Sequence, residues 1–151
     1  MAYDRPRGRT ARWNFWHVRH QISESLREEG LVLGRDVSVP RGRMAEMTER
    51  VRALVAEDHP DVRVCDFGHW GGGGSHLNLV WPETDGVDHT ARKRALQTAV
   101  YDLVVREFGG SYSAEHGVGP HNLDAYRRYT PQAVRDLCAR IAPERFGTVE
   151  L

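Results

Sequence analysis

Val62-Arg63-Val64-Cys65-Asp66-Phe67-Gly68-His69-Trp70-Gly71-Gly72-Gly73-Gly74-Ser75-His76-Leu77-Asn78-Leu79-Val80-Trp81 is the stretch whose reading decides the fold. Val62–His69 and His76–Trp81 read as two strands separated by a glycine run. Side chains of an extended chain alternate faces. Leu77, Leu79 and Trp81 therefore share one side of the second strand, and His76, Asn78 and Val80 share the other. The first set is a core face. His76 and Asn78 point away from it, toward whatever covers the sheet. Phe67 and His69 share a face on the first strand, and the glycines let the chain fold back to bring His69 near His76.

The remaining elements fall on either side of this pair. Phe15, Val18, Ile22 and Leu26 recur at three and four residues, which predicts a helix over 13–29 that Gly30 ends. Leu31–Pro40 reads as extended. Met44, Met47, Val51, Leu54 and Val55 mark an amphipathic helix that stops near His59-Pro60. A long helix is expected over about His89–Phe108, buried through Leu96, Ala99, Val100, Leu103 and Val104. Gly109-Gly110 stops it, and Ser111–Ala114 reads as a last short strand. One more helix follows, with Thr130 as N-cap, Pro131 at its first position and Val134, Leu137, Cys138 and Ile141 inside. Residues 35–114 thus run β-α-β-β-α-β. This order predicts an α+β, ferredoxin-like core with an antiparallel sheet and both helices on one face. The helices at 13–29 and 130–142 flank it, and residues 1–12 read as a flexible basic tail.

Composition narrows the function classes. The chain has 151 residues, the length of one domain, with 40% apolar and 28% charged side chains. Acids and bases balance at 21 each. A general attraction to nucleic acid or anionic lipid has no support. No apolar run approaches the ~20 residues of a membrane span, and Met1-Ala2-Tyr3-Asp4-Arg5-Pro6 is not a signal peptide, so a cytoplasmic location is expected. Lys93 is the only lysine among the bases, and the arginines are scattered. Cys65 and Cys138 read as small core residues with no metal or redox motif.

Three clusters are able to carry chemistry. His69 and His76 at one strand end can bind a divalent metal, with a carboxylate as third ligand and an open position for substrate. Taken alone, a structural hairpin is the plainer reading. The second cluster, Ser111-Tyr112-Ser113-Ala114-Glu115-His116-Gly117-Val118-Gly119, places Glu115 and His116 on a glycine-flanked loop. There Glu115 is able to complete a metal set and His116 to move a proton near neutral pH; a surface Glu-His pair in a tight turn is the alternative. Three candidate ligands at strand ends of one sheet tip the balance toward a site. Third, Arg19 with Ser23 four residues on is a good clamp for a carboxylate, or simply a solvated arginine.

These residues together resemble the C-terminal domain of FAD-linked oxidases in the vanillyl-alcohol oxidase superfamily. Phe67-Gly68-His69-Trp70-Gly71 with His76-Leu77-Asn78 is similar to the family's Gly-His-x-Gly-Asp-Gly-Asn-x-His-x-Asn motif. Gly109-Gly110-Ser111-Tyr112-Ser113-Ala114-Glu115-His116-Gly117-Val118-Gly119 is similar to its Gly-Gly-x-x-Ser-x-Glu-His-Gly-x-Gly motif. Trp16-His17-Val18-Arg19 and Asp36-Val37-Ser38-Val39-Pro40 resemble its Trp-x-x-Arg and Asp-x-Ser-x-Pro stretches. The resemblance runs over about residues 13–151. The group includes D-lactate dehydrogenase, the glycolate oxidase FAD subunit and D-2-hydroxyglutarate dehydrogenase.

The resemblance implies flavin-dependent oxidation of a D-2-hydroxy acid. By it, His69, His76 and Glu115 hold a divalent metal, usually zinc. His116 is the base, Arg19 and Ser23 hold the substrate carboxylate, and Asn78 bonds substrate or flavin. Glu115, His116 and Gly117 lie against the FAD. Gly72 and Gly74 stand where the family has Asp and Asn, Ser75 where it has an apolar residue, and Gly34 where hydroxyglutarate-type members carry Lys. The length leaves no room for the FAD-binding half, so a separate FAD-binding half or subunit is the expected partner. A stand-alone, non-redox metal- or ligand-binding module is the alternative.

Overall fold

The structure is a computed structural model that describes residues 9–84 and 86–142. Its elements are α1 (Arg9–Glu28), β1 (Leu31–Ser38), α2 (Met44–Asp58), β2 (Arg63–Phe67), β3 (Gly74–Trp81), α3 (Thr90–Asp102), α4 (Leu123–Tyr129) and α5 (Gln132–Ile141). The fold is α+β, as expected. The three strands form one antiparallel sheet in the order β1-β3-β2.

Strand alternation divides the sheet into two faces with different work. Leu33 and Val37 of β1 and Leu77, Leu79 and Trp81 of β3 are buried with Met44, Met47, Val51 and Val55 of α2 and Leu96 and Val100 of α3. Thr48 of α2 donates to Asp66 of β2 at 3.0 Å, and Arg35 of β1 donates to Gln97 of α3 at 2.7 Å. α2 therefore lies over β2, and α3 over β1. The opposite face carries Gly34 and Asp36 of β1, Phe67 of β2, and His76, Asn78 and Val80 of β3. Its central row pairs Asp36 with His76 and His76 with Phe67. Half-buried Ile22 and Leu26 of α1 lie toward this side, where α1 contacts β1.

Several boundaries differ from the sequence reading, and α4 was not expected at all. The fourth strand is a single bridge, Ser38 to Ser111. Beyond it the amide of Ala114 reaches the carbonyl and the carboxylate of Asp36, so a side chain replaces the ladder. The long helix loosens into a π turn over Leu103–Glu107 before Gly109. Thr130 does not cap α5: its hydroxyl pairs with Tyr112 at 2.8 Å, and Pro131 sits just before the helix. Val134, Leu137 and Ile141 face outward on α5, with Ile141 74% exposed. The expected tail lies outside the described residues as far as residue 8, while residues 9–12 already belong to α1.

The bridge at Ser111 requires a glycine before it. A Cβ on Gly110 would collide with the Ser38 carbonyl oxygen and meet Val39 Cγ1 at 2.8 Å. Gly110→Ala is expected to destabilise the chain by about 2 kcal/mol or more in urea unfolding, the range for overpacked sites. Gly72→Ala, where a Cβ meets nothing within 4 Å, serves as the near-neutral control. Ser75 is 1% exposed with its Oγ unpaired. Ser75→Ala is expected to raise stability by up to about 1 kcal/mol in the same assay, because a buried hydroxyl without a partner carries its desolvation cost.

Candidate functional site

Asp36 organises the site. Its side chain is 7% exposed, and Oδ2 accepts the backbone N–H groups of Ala114, Glu115 and His116 at 3.1, 2.7 and 2.8 Å. The loop after the Ser111 bridge is thereby folded onto the end of β1, above the row that contains His76. Ser111 and Ser113 tighten the turn through Ser111 Oγ, which donates to the Ser113 carbonyl and accepts from its amide. Gly117 takes φ +70°, a left-handed conformation that favours glycine. Its carbonyl accepts from Ser113 Oγ at 3.0 Å and from Asn122 at 3.3 Å.

The two imidazoles span the space between two carboxylates. His76 and His116 stack with ring centroids 5.4 Å apart and 12° between planes. His76 Nδ1 lies 3.7 Å from Asp36 Oδ1, and its Nε2 lies 3.2 Å from Glu115 Oε1. His116 repeats the pattern, with Nδ1 3.7 Å from Asp36 Oδ2 and Nε2 3.9 Å from Glu115 Oε1. Asp36 is the inner carboxylate and Glu115 the outer one.

One donor atom from each of Asp36, His76, Glu115 and His116 lies within 4.8 Å of the others. Imidazole nitrogen with carboxylate oxygen is a donor set that suits zinc and neighbouring first-row divalent ions. The residues therefore fit a metal. His69, expected as a ligand, stands one step out: its Nδ1 is 3.5 Å from Glu115 Oε2, and its ring is 5.8 Å from that of His76. The glycine loop does bring the two histidines together, as its flexibility suggested.

A cleft of about 420 Å³ opens beside the cluster, lined by residues that include Arg19, Ser23, Gly34, Asn78, His76 and His116. Arg19 and Ser23 thus meet the histidines in one space. Arg19 has no carboxylate partner among the described residues. Its guanidinium lies 5.6 Å from the Trp16 ring. Arg35 also borders the cleft, but its guanidinium is tied to Gln97 and to the Gly34 carbonyl, and burial pulls its pKa below the usual arginine value. Asn78 spends its amide N–H groups on the carbonyls of Cys65 and His76. Its Oδ1 looks over Gly34, where a Cβ would meet it at 3.0 Å.

Two contributors escaped the sequence reading. Asp36 was visible only inside the Asp-x-Ser-x-Pro resemblance, because an acid in a strand with polar alternation carries no spacing signal. His20 borders the same cleft one residue beyond Arg19, stacked on Trp16 at 5.9 Å; helical spacing did not distinguish it from a solvated residue.

The sequence profile of FAD linked oxidases, C-terminal domain, matches residues 5–142. The chain belongs to this family. Among its relatives, the D-2-hydroxyglutarate dehydrogenase of Stutzerimonas stutzeri is 34% identical over 117 residues, covering 78% of this chain and 25% of its own length. The mitochondrial D-2-hydroxyglutarate dehydrogenase of Bos taurus is 32% identical over 134 residues, 85% of this chain and 23% of its own length. The D-lactate dehydrogenase of Anaerostipes hadrus is 32% identical over 110 residues, 72% of this chain and 22% of its own length. The chain spans about a quarter of the relatives it matches. No helix among the described residues is long and apolar enough to cross a membrane.

Position in the cluster sets the order of ligand importance. In equilibrium dialysis with zinc, His76→Ala is expected to lower affinity by more than about 100-fold, and His69→Ala by about 10- to 100-fold, the scale for a group that supports the ligands from outside the set. Equal losses for the two variants would contradict this ranking.

Proposed function

We propose that this chain is the substrate- and metal-binding portion of an FAD-dependent dehydrogenase that oxidises a D-2-hydroxy acid to the 2-oxo acid, acting with a separate FAD-binding half. The supporting observation is that Asp36, His76 and His116 of the four-residue cluster line one cleft with Arg19 and Ser23. Such a substrate has adjacent carboxylate and hydroxyl groups. A cation clamp beside a metal-fit cluster matches that pair.

In this reading Arg19 takes the carboxylate in charge-assisted hydrogen bonds, and Ser23, one helical turn on, adds a hydroxyl donor. Asn78 Oδ1 accepts a hydrogen bond from substrate over Gly34. His76 and Glu115, with His69 beside them, hold a divalent cation, zinc by donor type. His116, side chain 65% exposed, takes the hydroxyl proton at Nε2. When bound, the cation would supply a lowered pKa for the hydroxyl, and the flavin would supply the hydride acceptor. Gly117 and Gly119 would meet nothing within 4 Å with a side chain added. The rim beside Glu115 and His116 is thus bare enough for a flat ring to approach. Cys65 and Cys138 are unpaired, which accords with a reducing compartment such as the cytoplasm.

The test uses the whole chain with FAD, zinc and the FAD-binding portion of the Stutzerimonas relative, following dye reduction that depends on a D-2-hydroxy acid. Reduction is expected, and His116→Ala should lower kcat by about 10²- to 10⁴-fold with zinc retained. Zinc binding without dye reduction, under conditions where the intact relative turns over, would instead favour a non-redox binding module.

A further inference from the structure

We propose that the apolar stripe of α5, formed by Val134, Leu137 and Ile141, is a docking surface for the FAD-binding half, which seats there and reaches the rim at Glu115 and Gly117 across one hollow. The choice of occupant rests on the dehydrogenase reading above; the exposure of the stripe does not.

Pattern and packing disagree in α5. At 3.6 residues per turn Val134, Leu137 and Ile141 fall on one side of the helix, and they are 45%, 53% and 74% exposed. The side that meets the rest of the chain is a different one. Arg135, Cys138 and Ala139 are half-buried, and the Cys138 thiol meets the side chain of Tyr126 in α4. That side is centred about a third of a turn from the stripe. Polar groups are satisfied within the helix: Gln132 donates to Asp136 at 2.7 Å and accepts from Arg135. The stripe is left facing solvent. A helix of ten residues is marginal in water by itself, and here its largest apolar side chains add nothing to the packing of their own chain.

Place and size select the occupant. The stripe begins beside the candidate site: Pro131, whose carbonyl accepts the Val134 N–H at 3.0 Å, lines a hollow of about 440 Å³ with Thr130, Val118, Gly117 and Glu115. Val118 is exposed as well. A body seated on α5 and filling this hollow therefore arrives at the rim proposed for the flavin. A stable interface takes about 20–30 residues a side. Three side chains on a helix about 15 Å long are too few for two copies to pair through the stripe alone. The matched region is only 25% and 23% of the length of two relatives, so a far larger body lies outside it, able to cover stripe, hollow and rim together.

The experiment titrates the full chain with the FAD-loaded FAD-binding portion of the Stutzerimonas relative and follows amide hydrogen exchange. Exchange at α5 and Val118 should slow at saturation. Gln keeps good helix propensity, so Leu137→Gln with Ile141→Gln removes the stripe and leaves the helix. This double variant should raise Kd by about 10- to 100-fold, the scale of central apolar contacts, and Val87→Gln by less than about twofold. Val87 is 52% exposed, in the loop that leaves β3 at the Trp81 end of the sheet, away from the Ser111 bridge. Alone, the double variant should unfold in urea at the wild-type midpoint; a lower midpoint means that this chain covers the stripe itself, and overturns the proposal. A wild-type dimer in sedimentation that the double variant dissociates names a second copy as occupant and overturns it too. So does an unchanged Kd in the double variant, or no binding by wild type. Slowed exchange at α5 without dye reduction by a D-2-hydroxy acid keeps the docking surface and removes the catalytic reading; dye reduction with α5 exchange unchanged does the reverse.

Discussion

A carboxylate in an almost closed pocket must replace the water it gave up, or its burial costs several kcal/mol. Asp36 does so with three successive amides from a loop 78 to 80 residues away in the chain. The rest of the arrangement depends on that exchange. It ends the fourth strand after one bridge, turns Glu115 and His116 over the central row of the sheet, and sets an inner negative charge beneath two parallel imidazoles. Fold and site share this interaction, so neither is complete without it.

The sheet divides its labour by parity. Odd positions of β1 and β3 bury Leu33, Val37, Leu77, Leu79 and Trp81 under α2 and α3. Even positions present Gly34, Asp36, His76 and Asn78 to the cleft. Both helices of the β-α-β-β-α-β order occupy one face, which frees the other for α1 and for polar groups. α1 closes it only in part, with Ile22 and Leu26 half-buried and Trp16 and Val18 exposed.

What was legible in the sequence was whatever has a period or a motif. Alternation placed His76 and Asn78 opposite Leu77 and Leu79, and the glycine run brought His69 to His76. The Ser-Ala-Glu-His-Gly string marked the loop that carries Glu115 and His116. The missing fourth strand was not legible, because its residues suit a strand and only the competing Asp36 carboxylate diverts them. Nor was the exposure of α5: an amphipathic pattern states which side is apolar and says nothing of what covers it. Thr130 was misread for a related reason. Its place before Pro131 suits a cap, and the Tyr112 hydroxyl that claims it comes from a distant element.

The shortened fourth strand leaves β1 with an unfinished margin. Ser38 and Asp36 meet the Ser111–Ala114 segment there, and by alternation the carbonyl of Gly34 faces the same open side. Arg35 bends back to place its guanidinium on that carbonyl at 2.9 Å. An unpaired strand margin invites pairing with another chain, and here its first free acceptor is occupied by a fixed positive charge. The acceptor that a further strand would need is thus already taken within the chain.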